Sequence, residues 1–122
     1  MQIIGIDHIQ IAIPFGGENL GRAFYGELLG LTEISKPEDL AANGGVWFEL
    51  GDLQLHLGID PEFKPAKKAH PGLIVSDLDS LAAKLKAQGY EITEAAPVEE
   101  MSRFFTADPF GNRLEFLEPL TS

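Results

Sequence analysis

The stretch RFFTADPFGNRLEF, residues 103–116, is typical of two short strands joined by a tight turn. Arg103 to Ala107 and Asn112 to Leu117 are rich in aromatic and aliphatic side chains, as strands are. Between them, Asp108-Pro109-Phe110-Gly111 supplies turn-forming residues, and Asp108 and Asn112 are expected only to shape this turn by bonding its backbone. The stretch therefore predicts an antiparallel strand pair near the end of the chain.

Working outward from this pair, the same series of elements is found twice. In the first half we predict a strand from Ile3 to Ile13, followed by a helix with Leu20, Phe24 and Leu28 on one face. Three more strands follow, from Leu31 to Ser35, Gly45 to Leu50 and Leu53 to Leu57, with a loop from Lys36 to Gly44 before the last two. In the second half we predict a strand from His70 to Val75, a helix with Leu78, Leu81, Ala82 and Leu85 on one face, a strand from Tyr90 to Thr93, a loop from Pro97 to Ser102, and the pair described above. The order is βαβββ in both halves.

The register of the two halves supports an internal duplication. The helix-ending Gly30 and Gly89 stand 59 residues apart, and so do His56 and Glu115 on the last strands. We therefore predict an α+β fold in one domain spanning 1–122, with module 1 at about 1–58, a linker at 59–69 and module 2 at about 70–120.

Composition limits the partners of the chain. Its 122 residues are 44% hydrophobic and 23% charged, which is a globular mixture. The net charge of −10 argues against nucleic acid and anionic membranes as partners, and the absence of cysteine excludes disulfides, cysteine–zinc clusters and thiol nucleophiles. Because no apolar run reaches about 18 residues and the first residues lack a basic head, we expect no membrane span, no signal peptide and a cytoplasmic location.

All three histidines, His8, His56 and His70, occupy equivalent strand positions in the repeat, and Glu115 fills the fourth. Alternation along the strands places His56 away from the leucine face, and it places Asp7 on the face opposite to His8. Imidazoles and carboxylates are good ligands for divalent transition metals. A single histidine on such a strand is more often an ordinary core or surface residue, but four ligand-type residues at matching places favour a metal site.

Three further side chains are candidates for contact with a small molecule. Arg113 is two residues from Glu115, so both should face the same side, and Arg103 lies on the neighbouring strand. The two arginines would either clamp an anionic substrate or form structural ion pairs with the many acids of the chain. Trp47 is the aromatic residue best suited to line a ligand pocket.

Several motifs carry a family resemblance over nearly the whole chain. They are Ile6-Asp7-His8-Ile9, Phe24-Tyr25, Leu28-Leu29-Gly30-Leu31, Leu55-His56-Leu57, His70, and Asp108 to Phe116. On these motifs the sequence resembles the vicinal oxygen chelate superfamily, which includes glyoxalase I, methylmalonyl-CoA epimerase, fosfomycin- and bleomycin-resistance proteins and extradiol dioxygenases.

The resemblance implies two βαβββ modules whose curved half-barrel sheets surround one metal site. By position, His8, His56, His70 and Glu115 would bind a divalent transition metal such as Zn, Ni, Fe, Mn or Co, and Glu115 would also be the catalytic residue. The family chemistry is Lewis-acid catalysis on a small molecule with two chelating oxygens, by a lyase, isomerase or transferase. In related homodimers, the site is either shared between two chains or closed within one, and we expect a homodimer here.

The sequence departs from some of these relatives. Glyoxalase-like members carry an acid and epimerase-like members a glutamine where this chain has His56, so Glu115 is its only carboxylate among the four. The alternative function is that of a bleomycin-resistance-type protein, which sequesters a small cationic ligand without catalysis. Such proteins generally lack the metal ligands, whereas this chain retains a full set.

Overall fold

Each half of the chain folds into a four-stranded sheet that carries a helix. The computed structural model describes residues 1–120, in which Met1–Lys64 forms one unit and the chain from Pro65 onward forms another. The first unit consists of β1 (His8–Ile13), α1 (Glu18–Gly21, continued by a π-helical segment, Arg22–Leu28), β2 (Glu33–Ile34), α2 (Glu38–Ala41), β3 (Val46–Leu50) and β4 (Leu53–Ile59). The second consists of β5 (Gly72–Ile74), α3 (Leu78–Ala87), β6 (Thr93–Val98), β7 (Met101–Ala107) and β8 (Arg113–Pro119).

The two sheets have the same topology. The first has the order β1-β4-β3-β2 and the second the order β5-β8-β7-β6. The first strand of each sheet lies parallel to the last, and the other neighbours are antiparallel. This arrangement confirms the predicted α+β fold with a βαβββ series in each half.

Aromatic and aliphatic side chains form the core of the first unit. Phe24 and Tyr25 of the helical segment are buried, as are Ile13, Phe48 and Leu55 of the sheet. The rings of Tyr25 and Phe48 lie 6.3 Å apart between centroids. Burying a side chain of this size contributes roughly 1.5–3 kcal/mol, so the helix is held on the sheet mainly by these contacts.

The second unit is built around α3 and the β7–β8 pair. Asp77 caps the helix by accepting a hydrogen bond of 3.0 Å from the Ser80 backbone N–H, and Lys84 and Lys86 in the last turn complement the helix dipole. On the sheet, Phe104 and Phe116 are buried, with 5.6 Å between their ring centroids.

The turn between β7 and β8 is held by two buried polar side chains. Asp108 Oδ1 accepts hydrogen bonds of 2.9 Å from the backbone N–H groups of Phe110 and Asn112. Asn112 Oδ1 in turn accepts a bond of 2.9 Å from the Ala66 N–H. The prediction that Asp108 and Asn112 shape this turn is confirmed. Through Ala66, Asn112 also binds the segment that connects β4 to β5.

The first strand is shorter than predicted. It begins at His8, which pairs with Gln54, rather than at Ile3, because β4 itself starts only at Leu53 and leaves residues 3–6 without a strand partner. Ile3, Ile4 and Ile6 are instead exposed by 90%, 94% and 63%. At its other end β4 continues to Ile59, past the predicted Leu57, because it remains paired with β1 there.

The first helix presents a different face from the one predicted. Leu20 is 51% exposed, whereas Gly21, Phe24 and Tyr25 are buried. From Arg22 the helix is π-helical, as the 2.9 Å bond from Leu29 N–H to Phe24 O shows. The wider turn brings two consecutive aromatic residues to the core.

Two predicted loops contain regular structure. The loop from Lys36 to Gly44 contains α2, which begins after Pro37 and has Glu38 and Asp39 in its first turn, where the helix dipole favours acids. The loop from Pro97 to Ser102 is reduced to the Glu99-Glu100 turn, because β6 extends to Val98 and β7 begins at Met101.

Two strand starts in the second unit were predicted too early. Tyr90 donates its backbone N–H to Leu85 O at 2.9 Å and so completes the helix, and β6 begins only at Thr93. β5 begins at Gly72 rather than His70, because Pro71 has no N–H with which to join the ladder. None of the helices in residues 1–120 combines the length and apolar character that crossing a membrane requires.

Candidate metal centre

His8 and His56 lie together on the first sheet, on the parallel strands β1 and β4. Their rings are stacked, with 4.2 Å between centroids and 17° between planes. Trp47, the register partner of His56 on β3, also stacks on it at 3.8 Å and 2°. As predicted, His56 points away from the face of Leu55 and Leu57, but these rings cover it and leave it only 4% exposed.

The hydrogen bonds of these two imidazoles differ. His8 Nδ1 lies 2.9 Å from Asp7 Oδ2, and an ionised carboxylate only accepts, so the proton is on Nδ1 and the Nε2 lone pair is left for another partner. In His56 it is Nε2 that lies 2.8 Å from a side-chain oxygen, that of Gln54. Nε2 is therefore the nitrogen without this bond in His8, whereas in His56 Nε2 is bonded to Gln54.

Asp7 is a correction to the sequence prediction. Alternation placed it on the face opposite to His8, yet the two side chains are hydrogen-bonded. Alternation holds only within a strand, and Asp7 precedes β1, which begins at His8. Gln54 was also missed, although its position two residues before His56, on the same strand face, could have indicated it.

The electrostatic surroundings keep His56 neutral. Burial lowers the pKa of His56 below its usual 6.5, and the nearby His8 and Lys36 lower it further, while Asp7 acts in the opposite direction. A neutral imidazole retains the lone pair that metal binding requires.

The second sheet holds the other pair. His70 Nε2 lies 3.1 Å from Glu115 Oε1, and the second carboxylate oxygen of Glu115 accepts a bond of 3.1 Å from Arg103 Nη1. His70 Nδ1 lies 2.9 Å from the Lys68 carbonyl oxygen, and its ring is nearly perpendicular to that of Phe105, with 5.3 Å between centroids.

The contacts of His70 constrain its protons. The Lys68 carbonyl can only accept, so the Nδ1–H donates to it. With one proton on the ring, the Nε2 lone pair then faces a carboxylate oxygen, which is repulsive unless a second proton or a cation lies between the two atoms. Metal-ligating histidines commonly have such support for Nδ1 from a carbonyl, so Nε2 of His70 and Oε1 of Glu115 are the atoms that would bind an ion here.

The remaining predicted residues surround the two pairs. Arg103 is ion-paired with Glu115, and the guanidinium carbon of Arg113 lies 4.1 Å from the centre of the Phe105 ring. Because Phe105 is the register partner of Glu115, the prediction that Arg113 and Glu115 share a face is confirmed. Trp47 lies against His56.

The four predicted ligands are therefore found as two pairs, one in each unit. Within residues 1–120, His, Asp and Glu side chains form no group of three or more that could hold a metal ion.

Comparisons with known proteins agree with this architecture. The chain is 45% identical to a protein from Bacillus anthracis described as glyoxalase family, with 98% of both chains covered and a TM-score of 0.91. A variant of the fosfomycin resistance protein FosX from Listeria monocytogenes, solved with Mn(II) and 1S,2S-dihydroxypropylphosphonic acid, is 18% identical over 97% of this chain and 94% of that one, with a TM-score of 0.80. A glyoxalase/dioxygenase from Nostoc punctiforme is 20% identical over 90% and 88%, with a TM-score of 0.72.

The latter two likenesses show a common fold. The search of curated proteins found no match. The family model for the Glyoxalase/Bleomycin resistance protein/Dioxygenase superfamily matches residues 5–116, which include both sheets and all four candidate ligands. On this match, and on the high identity to the Bacillus anthracis protein, the chain belongs to the Glyoxalase/Bleomycin resistance protein/Dioxygenase superfamily.

Proposed function

We propose that the chain is a glyoxalase-like, metal-dependent enzyme, a lyase, isomerase or transferase, acting on a small molecule with two chelating oxygens. In this proposal His8, His56, His70 and Glu115 bind one divalent transition metal ion, such as Zn, Ni, Fe, Mn or Co. The observation that carries the proposal is the hydrogen bonding of the two equivalent histidines. His8 and His70 each have Nδ1 hydrogen-bonded to an oxygen, so Nε2 is the nitrogen that would bind the metal, and in His70 it lies 3.1 Å from Glu115 Oε1, the other proposed ligand.

The donor set fits a borderline metal ion. Three imidazoles and one carboxylate are nitrogen and oxygen ligands, and the protein contains no sulfur ligand from cysteine. His56 can join the set through Nε2 only by releasing Gln54. When bound, such an ion supplies Lewis-acid chemistry, since it holds substrate oxygens and stabilises negative charge on them.

The protein side chains would divide the remaining work. Glu115 is the only carboxylate among the four, so we assign to it any transfer of a proton to or from the substrate. Arg103 holds one of its oxygens and so fixes the direction of the other. Arg113, whose charge lies over Phe105, and Trp47 are assigned to substrate contact.

Metal content and turnover test this function together. The protein is purified without added metal, and bound metal is measured by mass spectrometry. It is then assayed with dicarbonyl and hydroxyacid probes before and after treatment with a chelator. We expect about one divalent ion per candidate site, and turnover that chelation abolishes and metal restores. Binding of a cationic probe that ignores chelation, with no turnover of any probe, would instead establish the sequestering function.

We further propose a cytoplasmic homodimer. Three isoleucines before β1, Ile3, Ile4 and Ile6, are exposed, and burying apolar surface of this kind favours association. Sedimentation at roughly tens of micromolar, where stable interfaces remain closed, should give twice the mass of one chain. A monomer at that concentration would refute the dimer. Ile4→Asp is expected to weaken it, whereas the matched change Ile74→Asp, at another exposed isoleucine, serves as control.

A further inference from the structure

A cleft of about 230 Å³ opens in the first unit beside β1, β3 and β4. Its lining includes three polar side chains, Gln10, Lys36 and Asn43, and three apolar ones, Leu40, Trp47 and Ile59. Pockets that bind small molecules combine an apolar lining with a few polar groups in this way, and the volume suits a small metabolite.

Among the described residues that line this cleft, Lys36 is the one that carries a charge. Like the other lysines in residues 1–120, it forms no ion pair with a carboxylate. Its Nζ donates instead to the carbonyl oxygen of Gly44. The Glu18 carboxylate lies on the same wall, where it accepts from the Gly45 N–H at 3.3 Å, but it is not ion-paired with Lys36. An ammonium group whose acceptor is a neutral carbonyl can bind an anion as well.

The wall that holds Lys36 is formed by an uncommon backbone conformation. Gly44 and Gly45 have φ angles of 72° and 87°, in the left-handed region that side chains disfavour. A β-carbon on Gly45 would collide with the carbonyl oxygen of Leu57 on β4, so the segment lies directly against the sheet. The Gly44 carbonyl that accepts from Lys36 is therefore part of a segment held against β4.

Trp47 connects the cleft to the candidate metal centre. It lines the cleft and also stacks on His56 at 3.8 Å. Gln10, another lining residue, is the register partner of His56 on β1. A molecule in the cleft would thus lie beside the first pair of candidate ligands.

We infer that the cleft binds the anionic group of a small substrate, a carboxylate or a phosphonate, against Lys36. The inference rests on the proposed function in taking the occupant as the substrate, whose chelating oxygens would extend toward His8 and His56. The net charge of −10 disfavours anions over the surface as a whole, so an anion needs such a local cation. What the cleft adds to the proposed function is that the substrate carries an anionic group.

Fluorescence can measure occupancy directly, because Trp47 is the only tryptophan in the chain. The chelator-treated protein is titrated with propionate and methylphosphonate, which separate the two anion types, and with propionamide and tetramethylammonium as neutral and cationic controls. We expect at least one anion to change the Trp47 emission saturably, with an affinity that salt weakens, and to bind about ten-fold more tightly than propionamide. Equal binding of anion and amide, preference for the cation, or no binding would overturn the inference.

Variants assign the effect to Lys36. Lys36→Gln should weaken anion binding about ten-fold and leave amide binding unchanged, Lys36→Arg should largely restore it, and Lys67→Gln, at an exposed lysine outside the cleft, should match the parent. Anion binding unaffected by Lys36→Gln would refute the role of Lys36. If Lys36→Gln does not fold, the salt dependence and the anion–amide comparison of the unmodified protein decide the question.

The two proposals fail in different ways. If the proposed metal-dependent function is wrong, the protein will take up no metal, while the chelator-treated protein still binds anions. Failure of this inference would appear as normal metal uptake without discrimination between propionate and propionamide.

Discussion

Arg103 and Glu115 face each other across β7 and β8, with 3.1 Å between Nη1 and Oε2. Arg103 also donates from Nε to the Ala96 carbonyl oxygen at 2.9 Å, so the guanidinium is held at two points. The other oxygen of Glu115 faces His70. Of the two roles that the sequence left open for Arg103, the ion pair is the one present in the protein, and its effect is to orient a candidate metal ligand.

Removing this support should weaken metal binding. Arg103→Gln leaves Glu115 in place but free to rotate, and we expect a loss in metal affinity of about 10-fold to 100-fold. Competition with a chromogenic chelator measures it. Arg22→Gln, which breaks the exposed ion pair with Glu33 in the first unit, is the matched control and should have no effect. Equal affinities in the two variants would show that Arg103 has no role in positioning.

Removing one of the candidate ligands should lower the metal affinity at least as much as removing Arg103. His70→Ala is expected to lower metal affinity by about 100-fold or more, since the loss of a donor atom exceeds the loss of its support. Metal content after dialysis measures it, with thermal unfolding as a check on the fold. If the variant with all four ligands changed to alanine retains stoichiometric metal, the ligand assignment is wrong.

Glu115→Gln separates metal binding from proton transfer. In fully metal-loaded protein, and with a probe that the parent turns over, this variant should lose about 10²–10⁴ in kcat if Glu115 acts as the base. Glu49→Gln, at an exposed position on β3, is the charge-matched control. A metal-loaded Glu115→Gln protein with nearly full activity would limit Glu115 to holding the ion.

The β6–β7 turn offers a stability prediction. Glu99 and Glu100 have φ angles of 47° and 62°, the left-handed region in which asparagine and glycine are favoured. The double change Glu99→Asn and Glu100→Gly should raise the free energy of unfolding by about 1 kcal/mol, measured in urea. Changing both residues to glutamine removes the charges but retains the backbone strain. A similar gain in that control would attribute the effect to charge.

Tyr90 predicts a loss of stability at alkaline pH. Burial, followed by the nearby Asp108, raises the pKa of Tyr90 above 10.0. The folded state therefore holds the phenolic proton more tightly than the unfolded state. This contribution is complete below the unfolded pKa and is lost as pH rises through the folded pKa. Ultraviolet titration of the phenolate, with Tyr90→Phe for assignment, should place this ionisation above pH 10; one at or below pH 10 would contradict the prediction.

The sequence pattern predicted the strand pairs whose two strands are close together in the chain. The β3–β4 and β7–β8 pairs were found within a few residues of their true ends, because alternation and turn residues lie within one short stretch. The start of β1 near His8 depends on its register with β4, which begins at Leu53, and the exposure of Leu20 depends on a π-helical turn. Neither fact is contained in the local composition.

The repeat predicted which candidate ligands are neighbours within each unit, but only part of their other contacts. Equivalence across the repeat brought His70 and Glu115 together correctly as neighbours, because matched strands occupy matched places in a duplicated fold. The bond between Asp7 and His8 escaped the alternation rule at a strand end. The position of Lys36 depends on two left-handed glycines at the end of a segment predicted to be a loop.

The parallel strand pairs also determine when the candidate ligands meet during folding. Hairpins such as β7–β8 close early, because their partners are near in sequence, whereas pairing β1 with β4 or β5 with β8 requires a much larger loop to close. His70 and Glu115 are 45 residues apart, and His8 and His56 span a similar separation. Each ligand pair is therefore completed by the least local contact of its module. A bound ion would accordingly slow unfolding far more than it would speed folding.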